Sequence, residues 1–116
     1  MSEDTIFHQI MRREIPADIV HEDEHMIAFR DIAPQAPVHV LFVPKKTIRG
    51  LDAAGAGDAE MIGRLALAAA DYARREGLEE NGYRIVMNCN QEGGQTVFQM
   101  HLHLLAGAQL GRFGTP

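Results

Sequence analysis

The fold of this chain is decided by residues 97–105, which read Val97-Phe98-Gln99-Met100-His101-Leu102-His103-Leu104-Leu105. Apolar and polar side chains alternate along this stretch, as is typical of a strand with one buried face. The even-numbered residues should face the core, and Gln99, His101 and His103 should face the opposite side. The alternation therefore predicts a last strand over residues 96–105, with two imidazoles side by side on one face of a sheet.

A polar loop, residues 88–96, leads directly into this strand. Its Gly93-Gly94 pair allows main-chain N–H groups to approach a ligand closely, and successive N–H groups in such a turn bind anions. Asn88, Gln95 and Thr96 add side-chain donors for phosphate oxygens. An imidazole is a good nucleophile towards phosphorus near neutral pH, because a large neutral fraction exists there. Loop and strand together indicate a phosphate site beside a nucleophilic histidine.

The rest of the chain supplies two helices and four more strands. Thr5 is a suitable N-cap for a short helix that ends near Arg13, and Asp58 is one for a long helix that ends before Gly77. Strands are predicted over residues 19–21, 26–31, 38–43 and 83–87. The loops between neighbouring strands are too short for parallel crossovers. The sequence therefore predicts one α+β domain over residues 1–116, with a five-stranded, mainly antiparallel sheet.

Charge and composition limit the classes of partner. The chain has 116 residues, and 11 Lys and Arg against 16 Asp and Glu give a net charge of −5. Nucleic acid and acidic membranes require a basic face, so we expect neither as a partner. The single cysteine, Cys89, excludes an internal disulfide and fits a reducing compartment. With no apolar run of membrane-helix length, these features predict a cytoplasmic protein.

Several blocks of the sequence resemble one known family. Residues 99–105 resemble the signature of the histidine triad (HIT) superfamily, with Gln99 at the position of the first histidine. Residues 5–7, 12–16, 28–39 and 93–97, together with Asn88, are similar to the histidine triad nucleotide-binding protein branch. The resemblance covers about residues 4–110, which is nearly the whole chain.

The resemblance implies a fold, an activity and an assembly. It implies a HIT-like five-stranded sheet that joins a second copy across a two-fold axis into a ten-stranded sheet. It implies hydrolysis of purine nucleoside 5′-phosphoramidates or acyl-adenylates to the nucleoside monophosphate through a covalent nucleotidyl-histidine. The expected partners are a purine nucleotide of the AMP or GMP class and a second copy of the chain, without cofactor or metal.

The resemblance also assigns roles to individual residues. His101 corresponds to the nucleophile, His103 contacts the phosphate, His39 is a further site histidine and Asp31 binds the ribose hydroxyls. The remaining implied contacts are with the purine, from Phe7, Ile10, Phe29 and Ile32, and with the phosphate or leaving group, from Asn88, Gly94, Gln95 and Thr96.

Other interpretations of these residues remain open at this stage. Asp31 has the sequence context of a simple turn acid. The apolar residues that the resemblance assigns to the purine could equally be core residues. His39, which lies in an apolar strand, could be a structural histidine. His8, His21 and His25 match no functional position, and we interpret them as surface residues. One alternative function is a zinc protein that uses His39, His101 and His103.

Gln99 raises another alternative, a nucleotide-binding module with weakened or lost catalysis. Glutamine forms hydrogen bonds but does not titrate. If the first triad position orients His101 through its main-chain carbonyl, Gln99 is tolerated, and Gln99→His should change turnover only modestly. That is the outcome we expect.

Overall fold

The computed structural model describes residues 4–114 and contains a five-stranded antiparallel sheet with one main helix. In chain order the elements are α1 (Ile6–Met11), β1 (Ile19–Glu22), β2 (Met26–Arg30), β3 (Val38–Pro44), α2 (Ala59–Arg75), β4 (Tyr83–Val86) and β5 (Leu102–Ala106). The strand order in the sheet is β1-β2-β3-β5-β4, and every neighbouring pair is antiparallel. The predicted α+β class and element order are confirmed. Within residues 4–114, no helix is both long and apolar enough to cross a membrane.

Helix α1 begins at the predicted cap. The Thr5 hydroxyl accepts hydrogen bonds from the main-chain N–H groups of Phe7 and His8. His8 Nδ1 accepts the Thr5 N–H at 3.0 Å, which is the part that Glu or Gln usually plays in a capping box. The surface interpretation of His8 was therefore wrong, because this ring is buried and its Nε2 also contacts the Thr47 hydroxyl at 3.2 Å. The helix ends at Met11, earlier than predicted, and Arg13 adopts a left-handed φ of 63°.

One face of the sheet is covered by α2. An apolar stripe on this helix places Leu65, Ala69 and Tyr72 against the sheet residues Val40 and Phe42, all of them buried. Asp58 occupies the N-cap position as predicted, but its side chain makes no cap hydrogen bond to the helix. The carboxylate instead accepts the Gly55 N–H at 3.0 Å and pairs with the Lys46 ammonium.

The opposite face of the sheet carries a second apolar cluster, closed by α1. This cluster consists of Phe7, Ile10, Ile27, Phe29, Leu41 and Val43. Side chains alternate across a strand, so His39 lies on the same face of β3 as Leu41. Leu41 is the register partner of His103, which places both histidines beside this cluster rather than beneath α2.

The last strand is shorter than predicted, because β5 begins at Leu102 rather than near Thr96. Its neighbour β3 ends at Pro44, and residues 45–50 then leave the sheet. Between residues 45–50 and residues 95–100, a main-chain hydrogen bond joins Met100 N–H to Ile48 O over 2.7 Å. The side chains of Gln95 and Gln99 are buried beside it. Strict alternation therefore fails before His101. Phe98, predicted to face the core, is half-buried beneath the Arg49 guanidinium, 4.5 Å from the ring centroid.

Candidate active site

Three histidines meet on the α1 side of the sheet. His39 comes from β3, His103 from β5, and His101 lies immediately before β5. The ring centroids of His39 and His103 are 5.1 Å apart, and those of His101 and His103 are 5.0 Å apart. The structure therefore brings together the three histidines that the sequence singled out. Phe7 packs edge-on against His101, with 4.9 Å between ring centroids.

The main chain assigns the tautomer of His101. Its Nδ1 lies 2.7 Å from the carbonyl oxygen of Gln99. A carbonyl oxygen only accepts hydrogen bonds, so Nδ1 carries the proton and donates it. The neutral ring then has its lone pair on Nε2. That is the form an imidazole needs in order to act as a nucleophile.

A second chain of bonds assigns the tautomers of His39 and His103. The Gln35 main-chain N–H donates to His39 Nδ1 at 3.0 Å, so the proton of His39 is on Nε2. His39 Nε2 lies 2.9 Å from His103 Nδ1, which must accept. His103 therefore carries its proton on Nε2, where it can serve as a donor. The sequence offers no signal for this role of Gln35, because any non-proline residue has the same N–H.

Asp31 lies at the end of the same row of groups. One carboxylate oxygen accepts the Ala33 N–H at 2.8 Å, which makes Asp31 a turn acid. The other oxygen is 3.5 Å from His39 Nε2. The side chain is half-buried, so it remains accessible from solvent.

Burial keeps all three histidines neutral near pH 7. Desolvation lowers the pKa of His39, an effect that the Asp31 charge opposes. Desolvation is also the main cause of the lowered pKa of His101, against the Gln99 carbonyl, which acts to raise it. Desolvation, together with the neighbouring His101 and His39, lowers the pKa of His103 to about 4. The site therefore offers N–H donors and a lone pair rather than positive charge.

These lowered pKa values predict loss of stability in acid. Below the ordinary value of 6.5, the unfolded chain binds protons that folded His39 and His101 do not accept. The free energy of unfolding should then fall as the pH drops from 7 towards 5, by at most about 1.4 kcal/mol per pH unit for each histidine. Urea unfolding at pH 7, 6 and 5 measures this slope, and His101→Asn should reduce it. A stability that is constant over this range would contradict the assignment.

The expected purine contacts divide into two groups. Phe7, Ile10 and Phe29 are buried members of the apolar cluster on the α1 side of the sheet, so they are core residues as well as candidate pocket wall. Ile32 is different, since 98% of its side chain is exposed in the loop after β2. The structure does not gather Ile32 into this cluster.

In the polar loop, several of the groups expected to bind phosphate form hydrogen bonds with other residues of the chain. The N–H groups of Gly94 and Gln95 donate to main-chain oxygens of Gln91 and Asn90, both at 3.0 Å. The Gln95 amide is buried, donates to the carbonyls of Arg49 and Val97, and accepts the Asn90 N–H. Asn88 Nδ2 donates to Gly93 O at 2.7 Å, whereas Thr96 is exposed. The donors of Gly94 and Gln95 already have partners within the chain, so donation to a ligand, which stays a prediction, would have to replace these bonds.

The Gly93-Gly94 pair is required by the turn itself. A Cβ on Gly93 would lie 2.4 Å from the Cys89 carbonyl oxygen, closer than real Cβ atoms approach. Gly94 adopts a φ of 82°, which favours glycine. Both glycines are therefore needed for the tight turn that precedes His101.

Gln99 does not share the histidine face as strand alternation predicted. Its side chain is fully enclosed, with 0% exposure, and its amide contacts the main chain of residues 44–48. Its main-chain carbonyl is the group that reaches the site, at His101 Nδ1. The difference arises because residue 99 precedes β5, where no ladder fixes the alternation.

A different set of groups from that predicted could hold a metal ion. Within the described residues, ligand atoms of Asp31, His39 and His103 lie within 4.8 Å of one another, and His101 is not among them. His39 Nε2–H already donates a hydrogen bond to His103 Nδ1, with 2.9 Å between the two nitrogens. An ion would have to displace that proton before it could bind both rings. A zinc ion bound here would therefore replace the hydrogen bond between His39 and His103.

Known proteins resemble this chain along most of its length. The sequence model of the HIT domain family matches residues 12–110. The purine nucleoside phosphoramidase of Escherichia coli K12 is 49% identical over 111 residues, covering 96% of this chain and 93% of that enzyme. An uncharacterized HIT-like protein of Synechococcus elongatus is 56% identical over 110 residues, covering 95% of this chain and 96% of the relative. A crystal structure of a HIT family hydrolase from Legionella pneumophila Philadelphia 1 has a TM-score of 0.90 and 45% identity, covering 93% of this chain and 96% of that one.

Proposed function

This chain belongs to the HIT domain family, and we propose that it hydrolyses purine nucleoside 5′-phosphoramidates or acyl-adenylates to the nucleoside monophosphate. The observation that carries the proposal is the bond from His101 Nδ1–H to the Gln99 carbonyl, which leaves Nε2 as a free nucleophile. The substrate class is supported by the 49% identity to the Escherichia coli purine nucleoside phosphoramidase.

The reaction proceeds in two displacements at phosphorus. The Nε2 lone pair of His101 forms a bond to the α-phosphorus while the bond to the leaving group breaks. An amine leaves with the electron pair and takes up a proton from water, whereas a carboxylate leaves as the anion. Water then attacks the phosphorus of the nucleotidyl-histidine, loses a proton to solvent and releases the monophosphate and free His101.

His103 and His39 assist the transfer without changing charge. The Nε2–H of His103 donates to a non-bridging phosphoryl oxygen, where negative charge builds in the transition state. His39 holds His103 in this tautomer through its own bond to Nδ1. Neutral N–H donors are enough to hold one phosphate group, so a chain with a net charge of −5 needs no basic patch for this substrate.

The nucleoside lies between Asp31 and the apolar cluster on the α1 side of the sheet. Asp31 accepts hydrogen bonds from the ribose hydroxyls with the carboxylate oxygen that faces His39. Phe7 and Phe29 form the inner wall for the purine, and the exposed Ile32 covers its outer face. Thr96 and the amide of Asn88, from the polar loop that precedes His101, contact the phosphate or the leaving group.

The direct test is release of AMP from adenosine 5′-phosphoramidate by the purified protein, with and without a chelator. We expect turnover that the chelator does not change. Binding of AMP without turnover would instead support the nucleotide-binding module. Stoichiometric zinc, together with loss of activity in chelator, would support the metal alternative.

The protein should also form a homodimer. β4 is an edge strand, and its side chains Tyr83 and Ile85 are exposed on the sheet face that carries α2. Leu67 of α2 is 66% exposed, so this apolar side chain is not covered within one chain. Strand pairing across a two-fold axis would cover these residues.

Light scattering at micromolar concentration should give twice the chain mass of 12.8 kDa. Ile85→Glu should shift the protein towards the monomer, because it places a charge within the pairing edge. Ile6→Glu, at an exposed apolar residue of α1, is the matched control and should leave the dimer intact. A monomer in the unsubstituted protein would contradict the assembly.

A further inference from the structure

The side chain of Gln99 has no access to substrate, yet every polar atom of its amide is hydrogen-bonded. It is 0% exposed, and its Oε1 accepts the Ile48 N–H at 3.0 Å. Its Nε2 donates to the carbonyl oxygens of Pro44, at 3.1 Å, and Lys46, at 2.7 Å. One amide therefore satisfies three main-chain groups of residues 44–48, at and just after the end of β3.

These three groups need partners because the pairing of β3 with β5 ends at Phe42 and Leu102 and does not extend to them. β3 ends at Pro44, and the next residues run past residues 95–100 without forming a strand. Buried main-chain groups without a hydrogen bond are costly, so a side chain must replace the missing ladder. The two donors and the acceptor of a glutamine amide match two carbonyls and one N–H.

Histidine, which the family signature has at this position, does not match the same groups. A neutral imidazole has one donor and one acceptor, and a protonated imidazole has two donors and no acceptor. Either form leaves at least one of the three main-chain groups unsatisfied. Gln99 is therefore suited to this particular turn rather than simply tolerated in it.

The same residue connects the turn to the nucleophile. The Gln99 carbonyl accepts from His101 Nδ1–H at 2.7 Å, and the adjacent Met100 N–H donates to Ile48 O at 2.7 Å. Residue 99 is thus fixed through its side chain and through the next peptide group. Its carbonyl has a defined direction towards His101.

We infer that Gln99 is a positioning residue: its side-chain amide anchors the main-chain carbonyl that fixes the tautomer and orientation of His101. The inference rests on the proposed function only for its effect on rate, because the tautomer can be measured without substrate. Loss of the amide should release residue 99 from the 44–48 turn. His101 should then exchange between its two neutral tautomers, and its Nε2 should point less consistently at phosphorus.

Gln99→Leu removes the amide while keeping a side chain of similar bulk. In ¹⁵N spectra of the substrate-free protein, His101 should change from a single Nδ1–H tautomer to a mixture. The kcat for adenosine 5′-phosphoramidate should fall by about 10- to 100-fold, with a smaller change in KM, because the loss concerns the alignment of the reacting atom. Leu65→Ala, a truncation in the core beneath α2, is the control, since it should lower Tm while leaving the His101 tautomer and kcat unchanged.

Gln99→His is the second variant and retains up to two of the three bonds. Its kcat should stay within about tenfold of the unsubstituted protein, while the His101 Nδ1 proton should exchange with water faster. An unchanged proton exchange rate in Gln99→His would overturn the inference, and this holds even if Gln99→Leu does not fold. A folded Gln99→Leu with a single Nδ1–H tautomer and unchanged kcat would also overturn it. If the unsubstituted protein hydrolyses no phosphoramidate, the proposed function fails, and the ¹⁵N spectra still decide the role of Gln99.

Discussion

Replacing His101 with alanine should lower the turnover of adenosine 5′-phosphoramidate by roughly 10⁴-fold or more, because the covalent route needs this ring. The buried ring is bonded at Nδ1 and packed against Phe7, so the fold offers it as a nucleophile at Nε2 alone. Neither neighbouring histidine can replace it. His39 has both nitrogens in hydrogen bonds, and the remaining nitrogen of His103 carries a proton.

Two controls separate loss of chemistry from loss of structure. His25→Ala removes an imidazole from the turn between β1 and β2, and it should retain full activity. The His101→Ala protein should keep its circular dichroism spectrum and still bind AMP, because Asp31 and the apolar wall remain. Turnover within about tenfold of the unsubstituted protein would rule out His101 as the nucleophile.

Replacing His103 with alanine should lower kcat by about 10²- to 10³-fold, since it removes a donor from the transferred phosphoryl group. The lowered pKa of about 4 means that this ring is neutral at pH 7, so the loss reflects a hydrogen bond and not a charge. Alanine also removes the acceptor that lies 2.9 Å from the buried Nε2–H of His39 and leaves only the Asp31 carboxylate, at 3.5 Å.

His103→Asn separates these two effects. The asparagine Oδ1 can accept from His39 as Nδ1 does, but no atom occupies the place of Nε2. The kcat of His103→Asn should therefore remain about 10²-fold low, although its Tm should recover towards that of the unsubstituted protein. Full activity in His103→Asn would show that the Nε2–H donor is not used.

The sequence predicted those parts of the site that a regular sheet determines. Alternation placed His103 on the polar face of the last strand, and the resemblance added His39 to the site; the antiparallel pairing of β3 with β5 places both on one face of the sheet. Thr5 was expected to cap α1, and its hydroxyl does so. In both cases a local rule, strand alternation or helix capping, acts within an element that forms as predicted.

The sequence did not predict the parts that depend on main-chain groups outside the ladder. Gln99 was placed by alternation, which does not apply once β3 has ended at Pro44. The N–H groups of Gly94 and Gln95 close their own loop, a pairing that the sequence did not predict. Gln35 acts through its N–H, a group that carries no sequence signature. Such contacts depend on which segments of the chain meet in the folded structure, and local sequence patterns do not predict this.

The proposed hydrolysis requires one covalent bond, between His101 Nε2 and the α-phosphorus. Mass spectrometry of peptides, after brief exposure to adenosine 5′-phosphoramidate and a quench without acid, tests it directly. We predict a nucleotidyl adduct on the peptide that contains His101, and no adduct in His101→Ala. Steady hydrolysis without an adduct, or an adduct on another residue, would contradict the account.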